Sequence, residues 1–167
     1  MRILFITLIS LIAGTSYSQE VLNPVFDERL EKLLKFSVPV IDVPEAHEIS
    51  EDYIFLDARE LEEYQVSHIP GARYIGFRKF DEDLLAGIDR DNNIIIYCSV
   101  GYRSEKIGKK MQKMGFTSVY NLYGSIFEWI NHGLPIENNQ GIATDTIHTY
   151  NKKWGKWVDS LDATKVW

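Results

Sequence analysis

The run Ile94-Ile95-Ile96-Tyr97 constrains this chain more than any other stretch. β-Branched and aromatic residues in sequence favour a strand. The run ends on Cys98, the only cysteine of the chain. Ser99-Val100-Gly101-Tyr102-Arg103 reads as a short loop. Beyond it Ile107, Met111 and Met114 recur at helical spacing, with Lys106, Lys109, Lys110 and Lys113 on the solvated face. Strand, loop and helix in that order put Cys98 at the carboxyl end of a strand, where open α/β sheets build their sites.

A helix N-terminus gathers unpaired N–H groups and partial positive charge. Both favour a thiolate and lower a cysteine pKa from about 8.5 toward neutrality. The backbone N–H groups of residues 99–103 can cradle an anionic sulfur. Gly101 supplies the positive φ or close approach that such a cradle needs. Arg103 is a fixed cation at the rim, either holding an anionic donor or pairing along the helix flank. Tyr102 lines the mouth, and Ser99 and Val100 shape the loop. On these residues alone a nucleophilic cysteine and a buried apolar one both remain open.

The surrounding pattern is α/β. Residues 53–57 form a second strand, continuous rather than alternating, as a strand covered on both faces requires. Asp57 and Arg59 stand at its carboxyl end, on the side of Cys98 if the strands are parallel, and read as residues that hold loops together. Further strands are expected at residues 73–75 and 118–122. Helices are expected at 60–66, 80–86 and 125–131, and from the Cys98 loop to Gly115. Pro70-Gly71 matches the centre of a type II turn, with His68 bonded to backbone beside it. Alternation of strands and helices implies a mainly parallel sheet between helices. Asn23 and Pro24 start an amphipathic helix over 23–34, the N-terminal arm. Pro39 confines the extended piece 38–43 to a sheet edge, and a short helix follows over 44–49. Residues 138–141 are a polar linker and 142–150 look extended. Residues 151–161 pattern as an amphipathic helix, with Trp154, Trp157, Val158 and Leu161 on one face. This C-terminal arm is expected to pack on the N-terminal helix, the alternative being an element that binds an envelope partner protein.

Residues 1–18 carry Arg2, an apolar run too short to span a bilayer, and Ser16 and Ser18 at the −3 and −1 positions of a cleavage site. They read as a signal peptide, with Gln19 starting a secreted or periplasmic chain. A single cysteine forbids an internal disulfide. His47, His68, His132 and His148 show no ligand spacing with Cys98, so no metal and no cofactor are expected. A formal charge of −6 without a basic tract argues against nucleic acid as a partner.

Three groups of residues together resemble the rhodanese-like family, over about residues 38–137. They are Leu56-Asp57-Ala58-Arg59 with Glu63-Tyr64, then His68-Ile69-Pro70-Gly71-Ala72, and finally Ile96-Tyr97-Cys98 with its loop to Arg103. The last group continues in Lys113-Met114-Gly115-Phe116 and Leu122-Tyr123-Gly124-Ser125-Ile126-Phe127-Glu128-Trp129. The resemblance implies a three-layer α/β/α fold with a mostly parallel five-stranded sheet, to which the N- and C-terminal helical arms (19–37 and 138–167) are added. It also implies sulfur transfer through a persulfide on Cys98, from a donor such as thiosulfate to a thiol or cyanide acceptor. Asp57 and Arg59 match family positions. Related phosphatases and arsenate reductases carry five residues between cysteine and arginine, and usually histidine before the cysteine. Here there are four, and Tyr97. A non-catalytic rhodanese-like binding module, or a thiol redox sensor, is the other reading.

Overall fold

Ile94, Ile95 and Ile96 have no exposed surface, because the strand that carries them lies at the middle of a sheet with helices on both sides. The computed structural model describes residues 21–167. The expected signal peptide, 1–18, lies outside the described residues. The elements run α1 (Pro24–Leu33), β1 (Val40–Ile41), α2 (Val43–Glu48), β2 (Ile54–Asp57), α3 (Leu61–Val66), β3 (Arg73–Tyr74) and β4 (Asn93–Tyr97). They continue α4 (Tyr102–Lys113), β5 (Ser118–Leu122), α5 (Ser125–Asn131), β6 (Ile136–Glu137), β7 (Ala143–Thr144), β8 (Thr146–His148), α6 (Lys152–Gly155) and β9 (Thr164–Val166).

The main sheet has the order β1-β5-β4-β2-β3, and all four pairings are parallel. β1 lies at an edge, as Pro39 beside it demands. Successive side chains of a strand point to opposite faces, and β4 divides its residues accordingly. Ile95 and Tyr97 join α1, α2 and α5 through Phe26, Leu30, Ala46, Ile126 and Phe127. Ile94 and Ile96 join α4 through Ile107 and Met111. This is the three-layer α/β/α arrangement, with its strand ends gathered on one side.

Local signals set most boundaries. The Asn23 side chain accepts hydrogen bonds from the Val25 and Phe26 N–H groups and caps α1. Gly71 has φ +72°, and the Ala72 N–H donates to the Ile69 carbonyl, closing the expected turn. Two expectations need correction. The helix over 80–86 is only a 3-10 turn, Glu82–Leu85, capped by Asp81. The helix over 151–161 stops after Gly155, a weak helix residue. Beyond it the Asn131 side chain donates to the Trp157 carbonyl and accepts from the Asp159 N–H at 2.7 Å. Those groups are thereby taken from a continuing helix. Trp157 and Val158 are still buried, but Leu161 is fully exposed.

The C-terminal segment packs on α1. Trp157 stacks on Phe26 with ring centroids 5.1 Å apart, the Arg29 guanidinium lies over Trp154, and the Asn23 side chain donates to Asp159 at 2.7 Å. β8 pairs in parallel with β9, a strand with no counterpart in the sequence pattern. Phe26→Ala should therefore cost about 3–5 kcal/mol in denaturant unfolding. It should also strip hydrogen-exchange protection from residues 154–158. Loss of stability with that protection intact would show that the segment is held elsewhere.

Candidate active site

Cys98 follows β4 directly, and neighbouring elements tie down several backbone groups of its loop. The Cys98 N–H donates to Ser125 Oγ at 3.1 Å. The Cys98 and Ser99 carbonyls accept from the N–H groups of Ile126 and Phe127 at 3.2 and 3.3 Å. Ser125 reaches this position with φ +56°, an uncommon conformation for a residue with a side chain. The Gly101 carbonyl accepts from Asn121 Nδ2 at 3.1 Å, and Asn121 Oδ1 accepts from the Ser104 hydroxyl at 2.7 Å. Gly101 itself has φ +101°, which glycine tolerates and bulkier residues resist.

The result is a sulfur held against the N–H groups of its own loop and the first turn of α4. The Gly101 N–H donates to Cys98 Sγ at 3.1 Å, and the Val100 and Ser104 N–H groups also favour its thiolate. Burial by itself pushes the thiol up. The Arg103 charge and these N–H groups outweigh burial and hold the thiol below its ordinary value.

Arg103 is not an unpaired cation. Its Nη1 and Nη2 bind the two carboxylate oxygens of Glu63 at 2.5 and 2.7 Å, and Nη2 also reaches Ser99 Oγ at 2.8 Å. Burial raises the Glu63 carboxyl, but its bonds to Arg103 leave it lower than usual. For Arg103, burial is likewise outweighed by Glu63, and the guanidinium stays charged. Of the two roles open to Arg103, the ion pair is the one its geometry displays.

Asp57 and Arg59 form a second pair, completely buried. Arg59 Nη2 binds Asp57 Oδ2 at 2.7 Å and also the Ser67 carbonyl. This links the end of β2 to the end of α3, and neither residue lines the cavity at Cys98. His68 stacks on Tyr64, its Nδ1 3.0 Å from the Tyr64 carbonyl, and so belongs to the turn. Among the described residues no cluster of His, Cys, Asp or Glu could hold a metal ion, and no helix is long and apolar enough to cross a membrane.

A cavity of about 270 Å³ opens onto Cys98, Ser99, Val100, Tyr102 and Arg103. Its far walls are Leu33 of α1, Phe77, and Tyr150 and Trp154 of the C-terminal segment. Sequence reasoning did not bring these four to the site, nor Glu63, Ser104, Ser125 and Asn121 as its supports. One signal was present for Asn121, an amide inside an otherwise apolar strand. The arrangement can present a thiolate to an electrophilic sulfur from one direction while its backbone stays rigid.

The model of the Rhodanese-like domain matches residues 42–132. A tRNA uridine(34) hydroxylase of Pectobacterium atrosepticum is 36% identical over 95 residues, 52% of this chain and 27% of that one. The chain thus spans about a quarter of the length of such curated relatives. The crystal structure of the BH2092 protein from Bacillus halodurans has a TM-score of 0.56 and 26% identity, covering 70% of this chain and 87% of that one. The polysulfide-sulfur transferase homodimer of Wolinella succinogenes shares the fold, with TM-score 0.54, 22% identity and coverage of 70% and 89%.

Alkylation of Cys98 followed against pH should give a midpoint below the free value of about 8.5. Arg103→Met removes the main charge that lowers the thiol, so its midpoint should move up. It also leaves Glu63 buried without its partner, which should cost roughly 3–5 kcal/mol of stability. An unchanged midpoint in a folded variant would assign the effect to the N–H groups alone.

Proposed function

The chain belongs to the rhodanese-like domain family, and we propose that it is a sulfurtransferase carrying a sulfane sulfur on Cys98. The observation that supports this most is the hydrogen bond from the Gly101 N–H to the chain's one thiol, with the Arg103 charge also favouring its thiolate, at the wall of an open cavity. A cysteine kept only as a small apolar filler has no need of an N–H group donating to its sulfur and a cation favouring its thiolate.

The chemistry has two halves. The Cys98 thiolate attacks the outer sulfur of a donor such as thiosulfate. A sulfur–sulfur bond to Cys98 forms, and the donor's own sulfur–sulfur bond breaks with its electron pair leaving on sulfite. The N–H groups of the loop then face the persulfide and hold its negative charge. An external acceptor, a thiolate or cyanide, attacks the outer sulfur and returns the Cys98 thiolate. The chain has no second cysteine, so the acceptor must come from outside. Both substrates visit one sulfur, which makes the kinetics ping-pong.

The formal charge of −6 favours a small donor over a polyanion such as tRNA. The activity in the hydroxylases' name belongs to chains of which this one covers 27%. Export completes the proposal: residues 1–18 direct the chain out of the cytoplasm and are removed, leaving it secreted or periplasmic.

Donor treatment should add about 32 Da, one sulfur, to Cys98 and nowhere else. Cys98→Ser should leave less than about a tenth of parental activity, because a hydroxyl is a poor nucleophile here. Double-reciprocal plots should be parallel. A folded protein that never gains the sulfur would be a binding module instead. N-terminal sequencing of protein recovered from the cell envelope should begin at or near Gln19, and an intact Met1 there would refute cleavage.

A further inference from the structure

The cavity at Cys98 is walled by more carbon than an inorganic donor can use. Leu33, Phe77, Tyr102, Tyr150 and Trp154 face it. The charges at its edge cancel in pairs. Arg103 is bidentate to Glu63, and Arg78 Nε lies 3.7 Å from a Glu60 carboxylate oxygen. Thiosulfate would shed its hydration there without meeting an unpaired cation, which is unfavourable. An apolar body would instead remove aromatic and aliphatic surface from water.

Three of those walls, Leu33, Tyr150 and Trp154, come from outside the family match at 42–132, and the two aromatic ones are held in place. The Tyr150 ring lies 5.5 Å from the Arg103 guanidinium carbon, and the Tyr150 backbone N–H donates to His148 Nδ1 at 3.0 Å. The Trp154 backbone N–H donates to Asn151 Oδ1 at 3.2 Å. The Arg29 guanidinium carbon stands 5.7 Å from the centre of the Trp154 ring. Rings ordered before a ligand arrives lose little freedom when it binds.

We propose that Tyr150 and Trp154 are specificity-determining residues that select an organic sulfane donor with a flat apolar body over thiosulfate and small alkyl donors. The inference rests on sulfur transfer at Cys98. With an organic thiosulfonate the balance is simple. The thiolate bonds to the terminal sulfur, the bond from that sulfur to the sulfonyl sulfur breaks, and the electron pair leaves on the sulfinate. No oxidant or reductant is needed.

The test compares benzenethiosulfonate with methanethiosulfonate, which carry the same charge and both release a sulfinate, with thiosulfate as a third donor. Persulfide formation on the full chain is followed by mass spectrometry, and each rate is divided by that of the same donor with free glutathione. Benzenethiosulfonate should be preferred by about tenfold or more, the scale of discrimination an apolar pocket reaches. Tyr150→Gly and Trp154→Ala should each bring that ratio toward one. Tyr150 has φ +64° and is exposed, so glycine suits its backbone and the fold should survive. A second readout omits transfer: benzenesulfinate should protect Cys98 from alkylation better than methanesulfinate. Equal preference in the parent, or a preference unchanged in both variants, overturns the inference. Selective protection without any persulfide would support the pocket's selectivity and refute the transfer reading alone.

Discussion

A strand buried on both faces has no solvent to satisfy its backbone groups, and β4 passes that demand on to the loop that follows it. Partners for the Cys98 and Ser99 backbone must come from neighbouring elements. Ser125, Ile126 and Phe127, at the start of α5, supply them. Asn121 on β5 takes the Gly101 carbonyl. Because β5 runs parallel to β4 and lies beside it, its end and the start of α5 arrive where the Cys98 loop needs them. The loop's own N–H groups are then free to turn inward to the sulfur. The N–H contribution to the thiol's acidity thus follows from sheet topology, beside that of the Arg103 charge.

The charged residues near the loop obey the rule that buried charges are paired. Glu63 with Arg103, and Asp57 with Arg59, bind α3 to the Cys98 loop and to the end of β2. Pairing keeps Arg103 charged and close enough to favour the thiolate, yet leaves it little capacity to bind a free anion. The site therefore stabilises negative charge at one atom, Cys98 Sγ, rather than across the cavity.

The C-terminal segment turns an open sheet end into a cavity. Its anchor is on the α1 side, through Trp157 on Phe26 and through the Asn131 side chain. From there Trp154 and Tyr150 face the space in front of Cys98. The bonds of Asn131 that end α6 early also hold this segment against the domain, so a shortened helix and a walled site have a common origin.

Apolar runs, helical spacing and Gly or Pro breaks are local, and what they specify was legible in the sequence. This covers the parallel sheet, the edge position of β1, the limits of β5 and α5, and Cys98 at a strand end ahead of a helix. Periodicity says which face of an element is buried. It does not say what lies across from it. The Glu63–Arg103 bond joins residues 40 apart, and the Asn131 contact with Trp157 spans 26. Only the tertiary structure brought those pairs together, and with them the walls at Tyr150 and Trp154. Each depends on the packing of whole elements, and no spacing in the chain encodes it.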